Sequence, residues 1–561
     1  MVNEMKFSLP DNLKAALDGN ASEWRDDKRV SRVWAKDATV WTDSDESKWL
    51  GWLDIVDEEL DLSATYTKLT AEIDESGFSD VLLMGMGGSS LCPEVLSITF
   101  EKRQFHILDS TDPCQISGLE KKLDLAKTLF IVASKSGSTL EPNCFKQYFF
   151  EKVAALVGRE NAGRQFIAIT DPGSKMEHVA KEDGFRHIFY GKPDVGGRFS
   201  ALSAFGMTAA ASMGLDVGQF LRNTSPMVDA CKENDVSTNP GALLGLILGT
   251  CQTHKRDKLT IFASAEIYDL GAWLEQLIAE STGKNGIAII PVDRESLEPT
   301  AKYGDDRIFA FLTLKGDGGF DANVAELAGA GHPVVEIALD SKGSLGQEFF
   351  RWEFATGVAG AVMGINPFNQ PDVEAAKIEA RKLTEEYEQT GHLPDEKPFF
   401  AGDGLELYSS ADPANQLLGK VTMPSAAALL SAHLDSIQEH DYFALLAYIE
   451  MNTEHERLLQ KIREKVLSQH RVATCLGFGP RFLHSTGQAY KGGGNNGVFL
   501  QITTDDPIDL AVPGQKYTFG VVKAAQARGD FQVLLDRGRR ALRVHLTGGV
   551  DKGLQTLSGM I

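Results

Sequence analysis

Short apolar runs at 81–84, 105–108, 129–133, 166–170 and 187–190 alternate with helical stretches between about 78 and 215. An unbroken apolar run leaves no polar face for water. Strands of this kind, separated by helices, specify a parallel sheet covered on both sides. The pattern repeats between about 240 and 385, with strands expected at 259–263, 286–290, 308–314 and 333–338 and helices at 270–281 and 349–363. A Pro/Asp/Gly-bearing stretch near 394–404 marks a boundary. Beyond it, helices are expected at 424–437, 441–451 and 453–468, and strands near 471–476, 498–503, 516–520 and 542–546. The fold class is therefore α/β. The expected units are an N-terminal arm (1–75), two doubly wound, mostly parallel units (76–225 and 226–393) and a C-terminal α/β unit (394–561).

Two turns carry the strongest chemical signal. Gly85-Met86-Gly87-Gly88-Ser89-Ser90 follows the first strand and precedes a helical pattern. About 45 residues later, Ser134-Lys135-Ser136-Gly137-Ser138-Thr139 follows the third. Strand, hydroxyl- and glycine-rich turn, helix is the layout that aims backbone N–H groups at a phosphate. Hydroxyls and a lysine suit its acceptor-only oxygens. The first turn lacks the Gly-x-Gly-x-x-Gly spacing of a dinucleotide site. Neither turn ends in the Gly-Lys-Ser/Thr of a nucleotide P-loop. Ligands in such sheets bind outside the carboxyl ends of the strands, where both turns lie.

Charge narrows the partners. The chain carries 56 basic and 78 acidic residues, net −22. That argues against nucleic acid and anionic membranes, so an anionic small molecule must be held by local cations and backbone donors. Six cysteines without a Cys-x-x-Cys pair read as reduced thiols of a cytosolic protein. No apolar stretch is long enough for a membrane span, and the N-terminus has no signal-peptide core.

Other segments hold candidate chemistry. Gly196-Gly197-Arg198-Phe199-Ser200 lets backbone and guanidinium approach a ligand, or is a plain helix-entry turn. Glu280 ends an amphipathic helix before Ser281-Thr282-Gly283-Lys284, as a base or a surface carboxylate. Gln370 and Lys377, seven apart after Asn366-Pro367-Phe368-Asn369, share a face if one helix spans both. His484-Ser485-Thr486-Gly487-Gln488 is a polar stretch in the third unit, and a lone histidine is more often structural than catalytic.

Together, in this order, Gly87-Gly88-Ser89, the Ser134–Thr139 run, Gly196–Ser200, Glu280-Ser281-x-Gly283-Lys284 and Asn366–Lys377 resemble the glucose-6-phosphate isomerase family across roughly 78–385. That family is built on two sugar-isomerase domains. The Phe482–Gln488 stretch is most similar to the isomerase half of bifunctional transaldolase/glucose-6-phosphate isomerases. There is no room here for a transaldolase barrel. Asn369 stands where the family usually has Asp, and Asp372 where it usually has Gly. Familiar members carry a ring-opening histidine shortly before the Asn-x-Phe block, where residues 324–333 align none cleanly.

The resemblance implies an aldose–ketose isomerase acting on glucose 6-phosphate and fructose 6-phosphate through an enediolate. An isomerase that also accepts mannose 6-phosphate and a non-catalytic sugar-phosphate sensor are the alternatives. Glu280 would be the base and Arg198 the cation at the developing oxyanion. Lys377 would help open the ring or polarise an oxygen. Apart from the resemblance, an imidazole suited to shuttle a proton puts His484 at ring opening, from the same chain or a dimer partner, with His332 a weaker candidate. Gly88, Ser89, Ser134, Lys135, Ser136, Thr139 and Gln370 would bind substrate. No metal or cofactor is implied. A homodimer with shared sites is.

Overall fold

The computed structural model describes all residues, 1–561. Strand β1 (Glu4–Ser8) opens the chain, and helices follow to residue 76. The first sheet holds β2 (Asp80–Met84), β3 (Phe105–Leu108), β4 (Thr128–Ala133), β5 (Phe166–Thr170) and β6 (His187–Tyr190). All its pairings are parallel, in the order β3-β2-β4-β5-β6. Every residue of β4 is buried, as a central strand between two helix layers requires.

The second sheet comprises β7 (Lys258–Ala263), β8 (Ile290–Asp293), β9 (Arg307–Leu314) and β10 (Val334–Leu339). Its order is β1-β10-β9-β7-β8, with the N-terminal β1 antiparallel on one edge. The run expected at 286–290 instead starts its strand at Ile290. Gly286 takes a left-handed φ of 80°, and Lys284 and Ile287 pair across a tight turn.

The third sheet is β11 (Phe400–Gly402), β12 (Leu405–Tyr408), β13 (Tyr442–Tyr448), β14 (Ala473–Phe478), β15 (Gly497–Thr504) and β16 (Arg540–Leu546). The order is β11-β12-β16-β15-β13-β14, parallel except at β11 and β12. Two expectations are corrected here. Residues 442–448 form the fully buried strand β13 instead of a helix. Their unbroken apolar run fits either state, and burial from both sides decides for strand. Residues 516–520 are not a strand. Thr518 caps the helix Phe519–Asp536, its hydroxyl accepting from the Val521 N–H.

One apolar cluster of 75 residues spans the N-terminal segment and both first sheets, and includes Trp24, Trp52, Trp273 and Trp352. The helix Leu345–Met363 is buried almost throughout at its centre. The third unit has a core of its own. It also lends side chains to its neighbours. Val512 and Phe519 enter the core on the outer face of the first sheet, where Phe519 stacks 6.1 Å from Phe145. Burying a phenylalanine contributes roughly 1.5–3 kcal/mol. Tyr442, Tyr448 and Tyr490 share another cluster with Ile290 and Val292.

Candidate active site

The carboxyl ends of β2, β3 and β4 face the third unit. The Gly85–Ser90 turn after β2 packs against the Gly197 segment. A Cβ at Gly88 would lie 2.0 Å from the Gly197 carbonyl oxygen, so only glycine permits this approach. Gly87 has a left-handed φ of 55°, and a Cβ there would meet Gln276 Nε2 at 2.7 Å and the His484 carbonyl at 2.8 Å. These contacts seat Arg198 and the Glu280 helix beside the turn.

Arg198 is buried and nearly saturated. Its Nε donates to Ser281 Oγ at 2.6 Å, Nη1 to Gln370 Oε1 at 2.9 Å, and Nη2 to the Pro367 and Asn369 carbonyls at 2.6 and 3.0 Å. A guanidinium has five donors. The remaining Nη1 hydrogen is the one available toward Glu280 Oε1, 3.5 Å away. Glu280 is only 8% exposed. Its Oε2 accepts from Gln276 Nε2 at 3.1 Å, and the same nitrogen donates to the His484 carbonyl at 2.8 Å. Lys284 donates to the Asn366 carbonyl at 2.6 Å and to Asn369 Oδ1 at 3.0 Å. Burial, and then the neighbouring Arg198 charge, hold its ammonium well below the usual lysine range. It acts as a brace for the 366–369 turn.

The hydroxyl turn opens on a cavity of about 720 Å³. Ser136, Thr139, Glu141, Lys377, His484 and Gln526 are in its wall. Lys175 and Arg381 add cations, which an acidic chain needs to hold an anion. Ser134 Oγ is buried with no partner, a hydroxyl left without an acceptor. Lys135 is turned away from this wall. Its ammonium binds the Asp171 carboxylate and the Lys192 carbonyl, the latter at 2.9 Å.

His484 is the third unit's contribution. Its Nε2 lies 3.0 Å from Glu141 Oε1, and its Nδ1 has no hydrogen bond to the protein. Burial alone would raise the Glu141 carboxyl. The His484 imidazole, its hydrogen bond and the Lys377 charge outweigh that and hold it below the ordinary range. The 3₁₀ helix Arg481–His484 is clamped at its other end. Arg481 forks onto Glu94 at 2.7 and 2.8 Å and reaches Asp109 at 2.8 Å.

Gln370 and Lys377 do not share a helix face. The helix Val373–Thr390 begins three residues after Gln370, which reaches back to Arg198 while Lys377 faces the cavity. His332 is remote from these groups. It packs edge-on to Phe309 at 5.3 Å, and burial followed by the Arg256 charge lowers it to about 4. Ser89 and Gly88 lie in the 3₁₀ turn Gly87–Ser89, beside the Arg198 segment.

Residues that sequence reasoning missed complete the site. Glu141 follows the hydroxyl turn by two positions, and an acidic residue in a helix's first turn ordinarily reads as a dipole complement. Asp372 is held from the third unit by Arg537 at 2.6 Å and by Gln488 at 2.7 Å. No spacing within the sequence announces either pairing.

The Phosphoglucose isomerase family profile matches residues 72–298, from the first sheet through the Glu280 helix. The glucose-6-phosphate isomerase of Prochlorococcus marinus is 27% identical over 443 residues, covering 70% of this chain and 83% of that protein. The chain is thus similar to glucose-6-phosphate isomerases over its first two sheets. The glucose-6-phosphate isomerase of Methanocaldococcus jannaschii is 27% identical over 366 residues, or 58% of this chain and 88% of its own. Two solved structures share the fold. A hypothetical protein from Thermus thermophilus has a TM-score of 0.58 at 24% identity, covering 68% of this chain and 99% of that one. A glucose-6-phosphate isomerase from Chlamydia trachomatis has a TM-score of 0.51 at 18% identity, covering 64% and 78%. No helix of the chain is long and apolar enough to cross a membrane.

Proposed function

We propose that this chain interconverts glucose 6-phosphate and fructose 6-phosphate through an enediolate. One observation carries the reading. A buried carboxylate, Glu280, sits 3.5 Å from Arg198 Nη1, whose second hydrogen is uncommitted, and is linked through Gln276 to the His484 segment. Proton transfer next to a carbonyl needs a base and a fixed cation where oxygen becomes negative.

The phosphate rests on the hydroxyl turn, with Ser134, Ser136 and Thr139 as donors and Ser89 on the neighbouring turn. Lys135 supports the turn from behind through Asp171. Glu141 holds the proton of His484 on Nε2, so the Nδ1 lone pair takes the proton of the anomeric hydroxyl, and Lys377 gives a proton to the ring oxygen as the C1–O5 bond breaks. Once the chain form is released, Glu280 removes the C2 proton and returns it to C1. Arg198 faces the enediolate oxygen, and Gln370, bonded to Arg198, helps orient the sugar or its phosphate.

The site residues are one part of the proposal. A homodimer is another, although the His484–Glu141 pair is formed within a single chain. The Phe482–Gln488 stretch supports kinship with the isomerase half of the bifunctional transaldolase enzymes. A cytoplasmic location fits six free cysteines. Purified protein given fructose 6-phosphate, with glucose 6-phosphate read by a coupled dehydrogenase, tests the activity. No turnover at micromolar enzyme overturns it.

A further inference from the structure

The helix Phe519–Asp536 of the third unit lays three side chains onto the carboxyl ends of the first sheet. Phe519 enters the apolar core. Lys523, one turn on, is buried between Asp112, at 2.8 Å, and Asp506. Gln526, three residues further, is 4% exposed and bonded at both ends of its amide. Its Nε2 donates to Glu141 Oε1 at 2.7 Å, and its Oε1 accepts from the Thr111 hydroxyl at 2.8 Å.

We infer that Gln526 is a positioning residue for ring opening, setting the tautomer of His484 by way of Glu141. The inference rests on the reading of His484 given above. The Thr111 hydroxyl donates to the amide oxygen of Gln526, which leaves the amide nitrogen as the end that meets Glu141. A donor at that oxygen favours the carboxylate form of Glu141. An ionised carboxylate only accepts, so the imidazole nitrogen 3.0 Å away must carry its hydrogen. The other nitrogen, Nδ1, is then the free base in the cavity wall. Without Gln526, Glu141 could take a proton and turn donor, and His484 would present the wrong nitrogen to the sugar. Gln526 lies in the cavity wall, but both ends of its amide are committed to protein partners. Its effect is confined to the step that uses His484.

The same geometry fixes a pH signature. Gln526 draws part of the carboxylate's charge away from His484. Removing that donor favours the protonated form of Glu141, against the lowering effect of the Lys377 charge in the same wall.

The test is Gln526→Met, close in volume but without a donor, compared with His484→Ala on two substrates. A hexose 6-phosphate must open its ring, whereas a tetrose 4-phosphate cannot close a normal one. Gln526→Met is expected to lose on the order of 10- to 100-fold in kcat/KM on the hexose and little on the tetrose. The acid limb of its hexose profile should move to higher pH. Thr111→Val, which frees the amide to flip, should do the same more weakly, and serves if Gln526→Met does not fold. Suppose His484→Ala spares the tetrose while neither variant distinguishes the substrates. Then the His484 reading stands and this inference is overturned. If His484→Ala loses both substrates equally, the ring-opening reading falls and Gln526's role with it.

Discussion

His484 and Glu141 are 343 positions apart and meet at 3.0 Å through Nε2 and Oε1. The contact joins the third unit to the helix that follows the hydroxyl turn. It forms within one chain, which bears on how active sites are shared in any dimer.

Mixing two inactive variants tests that point. Sites shared between subunits would let Glu280→Gln and His484→Ala proteins complement one another, because a mixed dimer would hold one intact site. Sites built within a chain leave every subunit with one defect. The expected outcome is no recovered activity after co-refolding or co-expression, and substantial recovery would show that sites are shared.

Glu280→Gln keeps the size and the Gln276 contact but cannot accept the C2 proton. Turnover should fall on the order of 10²–10⁴-fold or more with substrate affinity largely kept. Interconversion of hexose anomers, which needs ring opening but no C2 chemistry, should survive and can be followed by exchange spectroscopy. Near-normal isomerisation by this variant would remove Glu280 from the role of base.

Ser134→Ala with Thr139→Ala removes two hydroxyls from the turn, one of them buried without a partner. Bonds to a charged group are worth roughly 1.5–3 kcal/mol each. Affinity for sugar phosphates and inhibition by inorganic phosphate should weaken together. Unaltered inhibition by phosphate would place the anion elsewhere.

Glu59 gives a stability signature away from the site. It is buried and bonded to Tyr66, and burial, only partly offset by that bond, raises its carboxyl to about 7. The folded state then holds a proton that the unfolded chain gives up near 4.5. Stability is lost as pH rises from about 4.5 to about 7 and is flat above. Glu59→Gln should be more stable to unfolding than the parent at pH 8, by on the order of 1–3 kcal/mol, and match it near pH 4.5. A difference of equal size at both pH values would contradict this linkage.

Much of this architecture was legible in residue order. The apolar runs of the first sheet gave its strands to within a residue because a strand buried on both faces has no other composition. The same uniformity hid β13, since an apolar run carries no period to separate strand from helix. Glu280, Arg198, Lys377 and His484 could be named from local motifs. Their partners could not. Glu141, Gln526 and Asp372 matter through contacts with residues more than a hundred positions away, and each reads locally as a helix-surface polar group. Lys135 shows the reverse error, because its motif suggested a phosphate ligand while Asp171, on the next strand's turn, claims its charge.

Arg481 and His484 ride on one 3₁₀ turn, with Arg481 gripping Glu94 and Asp109. Loosening that grip would shift His484, the proposed ring opener, while Arg198 still faces Glu280, the proposed C2 base. Such an enzyme would live on the trace of open-chain hexose phosphate present in solution. Its ceiling would then be set by how fast the sugar opens by itself, and adding more protein beyond that point would yield nothing.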